Sequence, residues 1–269
     1  MAFALDPDAP VHLGLRAVAL DECERALERL KRSGAEDIHE ARKSLKRLRA
    51  WSRLLRPHLG PQQQLLKALL RDSARALAGR RDADVARQTL LGLRRGRRLD
   101  AAQYAQLLQV IVAAEPDPQQ LAAANADARR LLKAAQVYLL KLDLAALTDE
   151  TLLRALGDSR SRCRQHWQRV RRALTAEALH DWRKTVKHLA TQTTLLATRL
   201  PGIDADVPAL KALGEVLGRH HDHAELGRRL EAGALRGQEL LRLRVRDALL
   251  ARRQRLEREA LAKGSALFA

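Results

Sequence analysis

Two short stretches of this chain set a histidine, an arginine and two lysines at the same spacing. The first reads IHEARKSLKRLR from Ile38 to Arg49, and the second reads LHDWRKTVKHLA from Leu179 to Ala190. His39, Arg42, Lys43 and Lys46 return as His180, Arg183, Lys184 and Lys187. Lys and Arg carry only hydrogen-bond donors and fixed positive charge, so their chemistry is capture of anions, with Arg able to grip a phosphate through two donors at once. One such phrase can arise by chance. Two copies imply a duplicated unit with two matching cationic surfaces, which suit a long, densely charged anion.

Helical geometry puts these groups on one face. At about 100° per residue, His39, Arg42, Lys43, Lys46, Arg49 and Arg53 fall within a sector of about 120°, while Ala41, Leu48 and Leu55 lie opposite. The second copy repeats the stripe through His180, Arg183, Lys184 and Lys187, with Trp182, Val186 and Leu189 facing away. It then fades into uncharged Thr191 and Thr194. A solvated helix face ordinarily alternates signs, because like charges four apart repel. From Ile38 to Arg56 there are seven Lys or Arg residues and one acid, Glu40, and from Leu179 to Arg199 one acid, Asp181. That repulsion is relieved when an anion neutralises it. A helical histidine is ordinarily a packing residue. His39 and His180 stand at first turns, near the positive helix end, where phosphate contact is equally open to them.

The whole composition agrees. The chain has 269 residues and a net charge of +18. Dividing after Leu140 leaves 25 basic and 16 acidic residues on each side, +9 for each half. The excess is therefore built into both halves, and nucleic acid, polyphosphate or acidic lipid become the leading partners. Only 3% of residues are aromatic, too few for base-stacking platforms. The N-terminal MAFALDPDAPV has no basic start or long apolar core, so no signal peptide is expected. No apolar run is long enough for a membrane span, and a cytoplasmic protein without membrane contact is expected. Cys23 and Cys163 sit at equivalent places in the repeats and read as small buried packing residues, with a cross-repeat disulfide as the alternative.

Apolar residues recur every three or four positions almost throughout, and no alternating strand stands out. The periodicity predicts helices near 10–32, 35–56, 61–78, 82–95, 99–114 and 118–141, then 148–173, 175–200, 206–218, 222–233 and 237–263. Ser33-Gly34-Ala35-Glu36 reads as a capping box and Thr175 as an N-cap before the two basic helices. Pro57, Gly60-Pro61 and Pro201-Gly202 end them, and Glu115-Pro116-Asp117-Pro118 marks a later break. The repetition extends upstream, from Arg29-Leu30-Lys31-Arg32 to Arg169-Val170-Arg171-Arg172. Downstream it runs from LAGRRDADV around Asp82 to LGRHHDHAE around Asp222. The fold expected is all-α: two antiparallel helical bundles, 1–144 and 145–269, related by a pseudo-two-fold axis.

Two rival chemistries need weighing. His188, His221-Asp222 and Asp247 superficially match the His…His-Asp…Asp arrangement of helical metal-dependent phosphohydrolases. His220, His221 and His223 suggest a metal site of their own. Two histidines four apart on a helix would chelate better, and these positions do not supply them. A Gly-x-x-x-x-Gly-Lys loop for nucleotide phosphates is also absent. The expectation is a binding protein rather than an enzyme, with no cofactor and no metal. A nucleic-acid-binding protein would share the electrostatic footprint, but nothing resembles a base-reading module, so only non-specific binding is expected there.

The paired phrases, His39-x-x-Arg42-Lys43-x-x-Lys46-Arg47-Leu48-Arg49 and His180-x-x-Arg183-Lys184-x-x-Lys187, resemble the two signature helices of the CHAD family, the conserved-histidine α-helical domain. Arg81-Asp82-x-Asp84-Val85 is similar to that family's following Arg-Asp motif, with Asp222 at the equivalent place in the second half. The resemblance runs from about residue 10 to 263. It implies two helical bundles around a basic central groove or pore, binding of inorganic polyphosphate, and in bacteria association with polyphosphate granules. It further implies a stand-alone polyphosphate-binding member, since no triphosphate-tunnel β-barrel fits an all-helical chain. On this reading His39, Arg42, Lys43, Lys46, Arg49, Arg53, His180, Arg183, Lys184 and Lys187 contact the anion. Arg47 and Arg81 are further candidates, while Asp82 and Asp222 cap a helix or orient a cation. The second half departs from the pattern: His188 stands for Arg47, Ala190 for Arg49, and His220-His221 for Arg80-Arg81. Stronger binding at mildly acidic pH, as these histidines gain charge, is a further expectation.

Overall fold

The computed structural model describes residues 3–32, 34–96, 98–113, 117–231 and 239–269, apart from the side chains of Arg80, Arg81 and Ala113. Its regular structure among these residues is helical: α1 (Val11–Arg32), α2 (Ala35–Leu54), α3 (Arg56–Leu59), α4 (Gln62–Ala76), α5 (Ala78–Arg95), α6 (Ala101–Ala113), α7 (Pro118–Lys141), α8 (Asp149–Arg172), α9 (Ala176–Leu196), a 3-10 turn (Asp204–Asp206), α10 (Val207–Glu231) and α11 (Glu239–Phe268). Helices α1, α2, α4 and α7 pack on one another, as do α8, α9, α10 and α11, and α2 meets α9 where the two sets join.

The apolar stripes explain this packing. Helix α2 buries Ile38, Ala41, Leu45, Leu48 and Trp51; α9 buries Leu179, Trp182, Val186 and Leu189. Their charged faces are left toward solvent. One apolar core runs through both halves, and Gln192 of α9, fully buried, donates to the Ala50 carbonyl of α2 at 3.0 Å. A second core, from Leu90, Leu107, Leu226, Val245 and Leu249 among others, joins α5 and α6 to α10 and α11. Apolar burial therefore crosses the 144/145 boundary twice.

The helix ends depart from expectation in three places. Ser33 lies outside the described residues, and the N-cap of α2 is Gly34, which makes no side-chain cap. Glu36 and Asp37 in the first turn meet the positive helix end instead. The expected helix 35–56 stops at Leu54, after which Pro57 sits in the single turn α3 and Gly60, at φ +50°, turns the chain away. The expected helices 206–218 and 222–233 are one unbroken helix, α10. Arg219, His220 and His221 carry no breaker, and Gly218 is held under the Lys187 side chain, 3.4 Å from where a Cβ would stand. By contrast Thr175 caps α9 as expected, accepting from the Ala178 amide at 3.1 Å. Glu115 and Pro116 lie outside the described residues, and Asp117 caps α7.

Cys23 and Cys163 are both buried and free, with thiols pushed up to about 12, chiefly by burial. At the N-terminus, Phe3 and Leu5 are buried, and the Leu5 amide donates to the Leu195 carbonyl at 2.9 Å. No described helix is long and apolar enough to cross a membrane.

Candidate anion-binding groove

Where α2 meets α9, their signature faces and one side of α10 enclose a groove of about 340 Å³. Lys46 and Arg49 enter from α2; Arg183, Lys184 and Lys187 enter from α9. The two cationic phrases thus share one cavity. The third wall carries Lys211, Gly214 and Glu215 of α10. The sequence reading did not single out Lys211. Gly214 and Gly218, four apart on α10, present bare backbone to Lys187 and let α9 lie close.

The groove's electrostatics are one-sided. Arg49 and Arg53 are exposed yet crowded between helices. Desolvation pulls both below the ordinary arginine range, and nearby cations add to it: Arg71 beside Arg49, and Arg162, Arg49 and Arg56 beside Arg53. Arg183 is lowered by desolvation with Asp222 as its opposing charge, and its buried Nε has no hydrogen-bond partner in the protein. His188, also in the groove, is pushed to about 3 by burial and then by Arg53, Arg49 and Lys184. Charge is therefore concentrated at a cost that an anion would offset.

The remaining expected contacts are distributed around this centre. Arg53 lines a second cavity beside α4. Lys43 and Lys184 reach back to Glu40 at 2.6 Å and Asp181 at 3.0 Å. Arg42 donates to the Ala74 carbonyl at 3.1 Å, at the C-terminal end of α4, where the helix dipole favours a cation. His180 packs against His221, ring centres 5.1 Å apart and tilted by 35°, and desolvation followed by Lys184 and Arg183 lowers its pKa. His39 is half-buried and stands at the start of the second turn of α2, one residue beyond the first-turn position expected for it. Of these six, only Lys184 also lines the groove. Arg47 turns to the opposite side: it donates to Glu22 of α1 at 3.0 Å and lies over the Phe3 ring. Glu22 is 1% exposed, so Arg47 compensates a buried carboxylate. The side chain of Arg81 lies outside the described residues.

Asp82 and Asp222 sit inside α5 and α10, so neither caps a helix. Asp82 instead faces Arg229 across the halves at 3.7 Å, and Asp222 faces Arg183. The histidines that suggested a metal are dispersed. Buried His220 bonds Glu257 at 2.9 Å, His223 bonds the Arg219 carbonyl at 2.7 Å, and Asp247 is exposed beside Arg246 on α11. Among the described residues no group of three or more His, Cys, Asp or Glu could hold a metal ion.

The fold finds a parallel in a solved structure. The crystal structure of the CHAD domain from the plant Ricinus communis superposes with a TM-score of 0.70 at 22% identity, covering 99% of this chain and 96% of that one. No curated protein matches the chain. The family model for the CHAD domain matches residues 17–231, which include both signature helices and the groove between them. The chain belongs to the CHAD domain family.

Proposed function

We propose that this protein binds inorganic polyphosphate in the groove between α2 and α9, by charge neutralisation and without chemical turnover. The observation that carries the reading is the shared lining: Lys46 and Arg49 from one half, Arg183, Lys184 and Lys187 from the other, and Lys211 from α10, against the single acid Glu215. A linear chain of phosphates meets several of these cations in succession. Arg groups can grip two oxygens each, while Lys groups act as mobile point charges. Successive contacts on one chain raise the overall affinity above that of any single phosphate. Binding releases condensed counterions and weakens steeply with salt, as for other polyanions. Association with polyphosphate granules is the corresponding cellular role.

The test is a double-mutant cycle with Lys46→Glu and Lys187→Glu, reading polyphosphate affinity by calorimetry at fixed salt. Each single change is expected to weaken binding about tenfold or more, because it replaces an attraction by a repulsion. The two losses are expected to couple, since both residues line one cavity. Unchanged affinity in both single variants would contradict the reading, and strict additivity would contradict one shared groove.

A further inference from the structure

Beside the groove lies a second cavity, of about 510 Å³, between the end of α2, α3 and the exposed face of α4. Its charged lining is wholly cationic: Arg53, Arg56, Lys67 and Arg71, with Gln64 as a neutral donor beside them. Neither Lys67 nor Arg71 belongs to a signature phrase. Arg71 forms a two-point pair with exposed Asp72, at 2.9 and 3.0 Å, so its guanidinium is held at the cavity wall.

The two cavities are electrostatically continuous. Arg49 lines the first and feels the charge of Arg71 of the second; His188 lines the first and feels that of Arg53 of the second. Along α2 the step from Lys46 to Arg53 is two turns, about 10 Å of helix rise. The sequence adds an independent argument. When Leu77–Val85 is laid on Leu217–Glu225, Arg71 falls opposite Lys211, the α10 cation that closes the first groove.

The geometry points to a second phosphate subsite in the α2–α4 cavity, which receives the continuation of a condensed phosphate chain leaving the first groove over Arg49 and Arg53. This inference rests on the polyphosphate reading above and adds an extended track to it. A chain long enough to cross from one cavity to the other engages both, so affinity depends on chain length until that span is covered.

The experiment compares Lys67→Gln/Arg71→Gln with a control, Lys133→Gln/Lys141→Gln, which removes the same charge from the exposed face of α7. Each protein is titrated with long-chain polyphosphate at several salt concentrations. All four residues are exposed, and unchanged thermal unfolding shows that the fold is kept. The α4 variant is expected to bind about tenfold more weakly, with the slope of log affinity against log salt smaller by about 1 to 2, as for two lost phosphate contacts. The control is expected to stay within about twofold of the parent protein. Equal losses in the variant and the control would overturn the subsite. A parent protein that fails to bind polyphosphate removes the underlying reading instead, and that outcome is seen before any variant is made.

Discussion

At the scale of single residues, burial decides which members of a charged phrase are available to an anion. Arg47 stands among the cations of α2, yet its guanidinium turns to the buried carboxylate of Glu22. Nothing local to α2 announces this, because the burial of Glu22 is set by how α1 packs. His188 shows the opposite effect. It replaces Arg47 in the second phrase but faces the groove, where burial and three cations hold it neutral, with a pKa of about 3 against an ordinary 6.5. His221 is pushed to about 3 as well, by burial and then Arg183 and His180. The expectation that these histidines gain charge at mildly acidic pH is thereby corrected for the free protein. A histidine whose folded pKa is depressed favours the unfolded chain once protons bind. Its stabilising preference is complete above about pH 6.5 and is lost progressively as pH falls toward 3. Replacing His188 by Asn removes that group, so the drop in Tm from pH 7 to pH 5 is expected to be about 2–4 °C smaller than in the parent protein. Thermal unfolding monitored by circular dichroism at the two pH values checks this; an identical drop in both proteins would contradict the buried neutral histidine.

At the scale of elements, close helix approach sets the groove, and glycine is what permits it. Gly264 of α11 meets two indoles at once. A Cβ there would stand 2.7 Å from Trp167 Cδ1 and Trp182 Cη2, against the large side chains that wedge α8 and α9. An alanine in a helix interior ordinarily stabilises by about 0.5–1 kcal/mol relative to glycine. Here the sign is expected to reverse: Gly264→Ala should destabilise by about 1–3 kcal/mol through overpacking, whereas Gly157→Ala on α8, with open space at its Cβ, should stabilise. Urea unfolding of the pair checks this, and a more stable Gly264→Ala protein would contradict it. The same elements show what was legible in sequence. Helices α2 and α9, their apolar faces and the Thr175 cap follow from period and local chemistry, which the chain carries within each segment. The unbroken α10 does not, because the phrase at Leu217–Glu225 continues as helix where its partner at Leu77 breaks. Lys211 escapes for a related reason: a lone lysine in the apolar opening turns of α10 carries no signature, and the seating of Gly214 and Gly218 against α9 brings it to the groove.

At the scale of the molecule, the positive charge is organised rather than merely abundant. Both halves carry the same excess, and where α2 meets α9 it converges on one cavity with a cationic neighbour beside α4. The apolar cores that cross between the halves hold this convergence in place, since neither signature helix could form the groove alone. On the polyphosphate reading proposed above, a shaped groove would select its anion by spacing and slenderness as well as by charge, which a general cation-exchange surface would not. The measurement that tests this most directly is the affinity of the purified protein for long-chain polyphosphate, heparin and double-stranded DNA, matched for total charge, at physiological salt. Polyphosphate is expected to bind at least about tenfold more tightly than either rival and to displace bound DNA, while DNA displaces polyphosphate poorly. Equal affinity for all three anions would contradict a dedicated site.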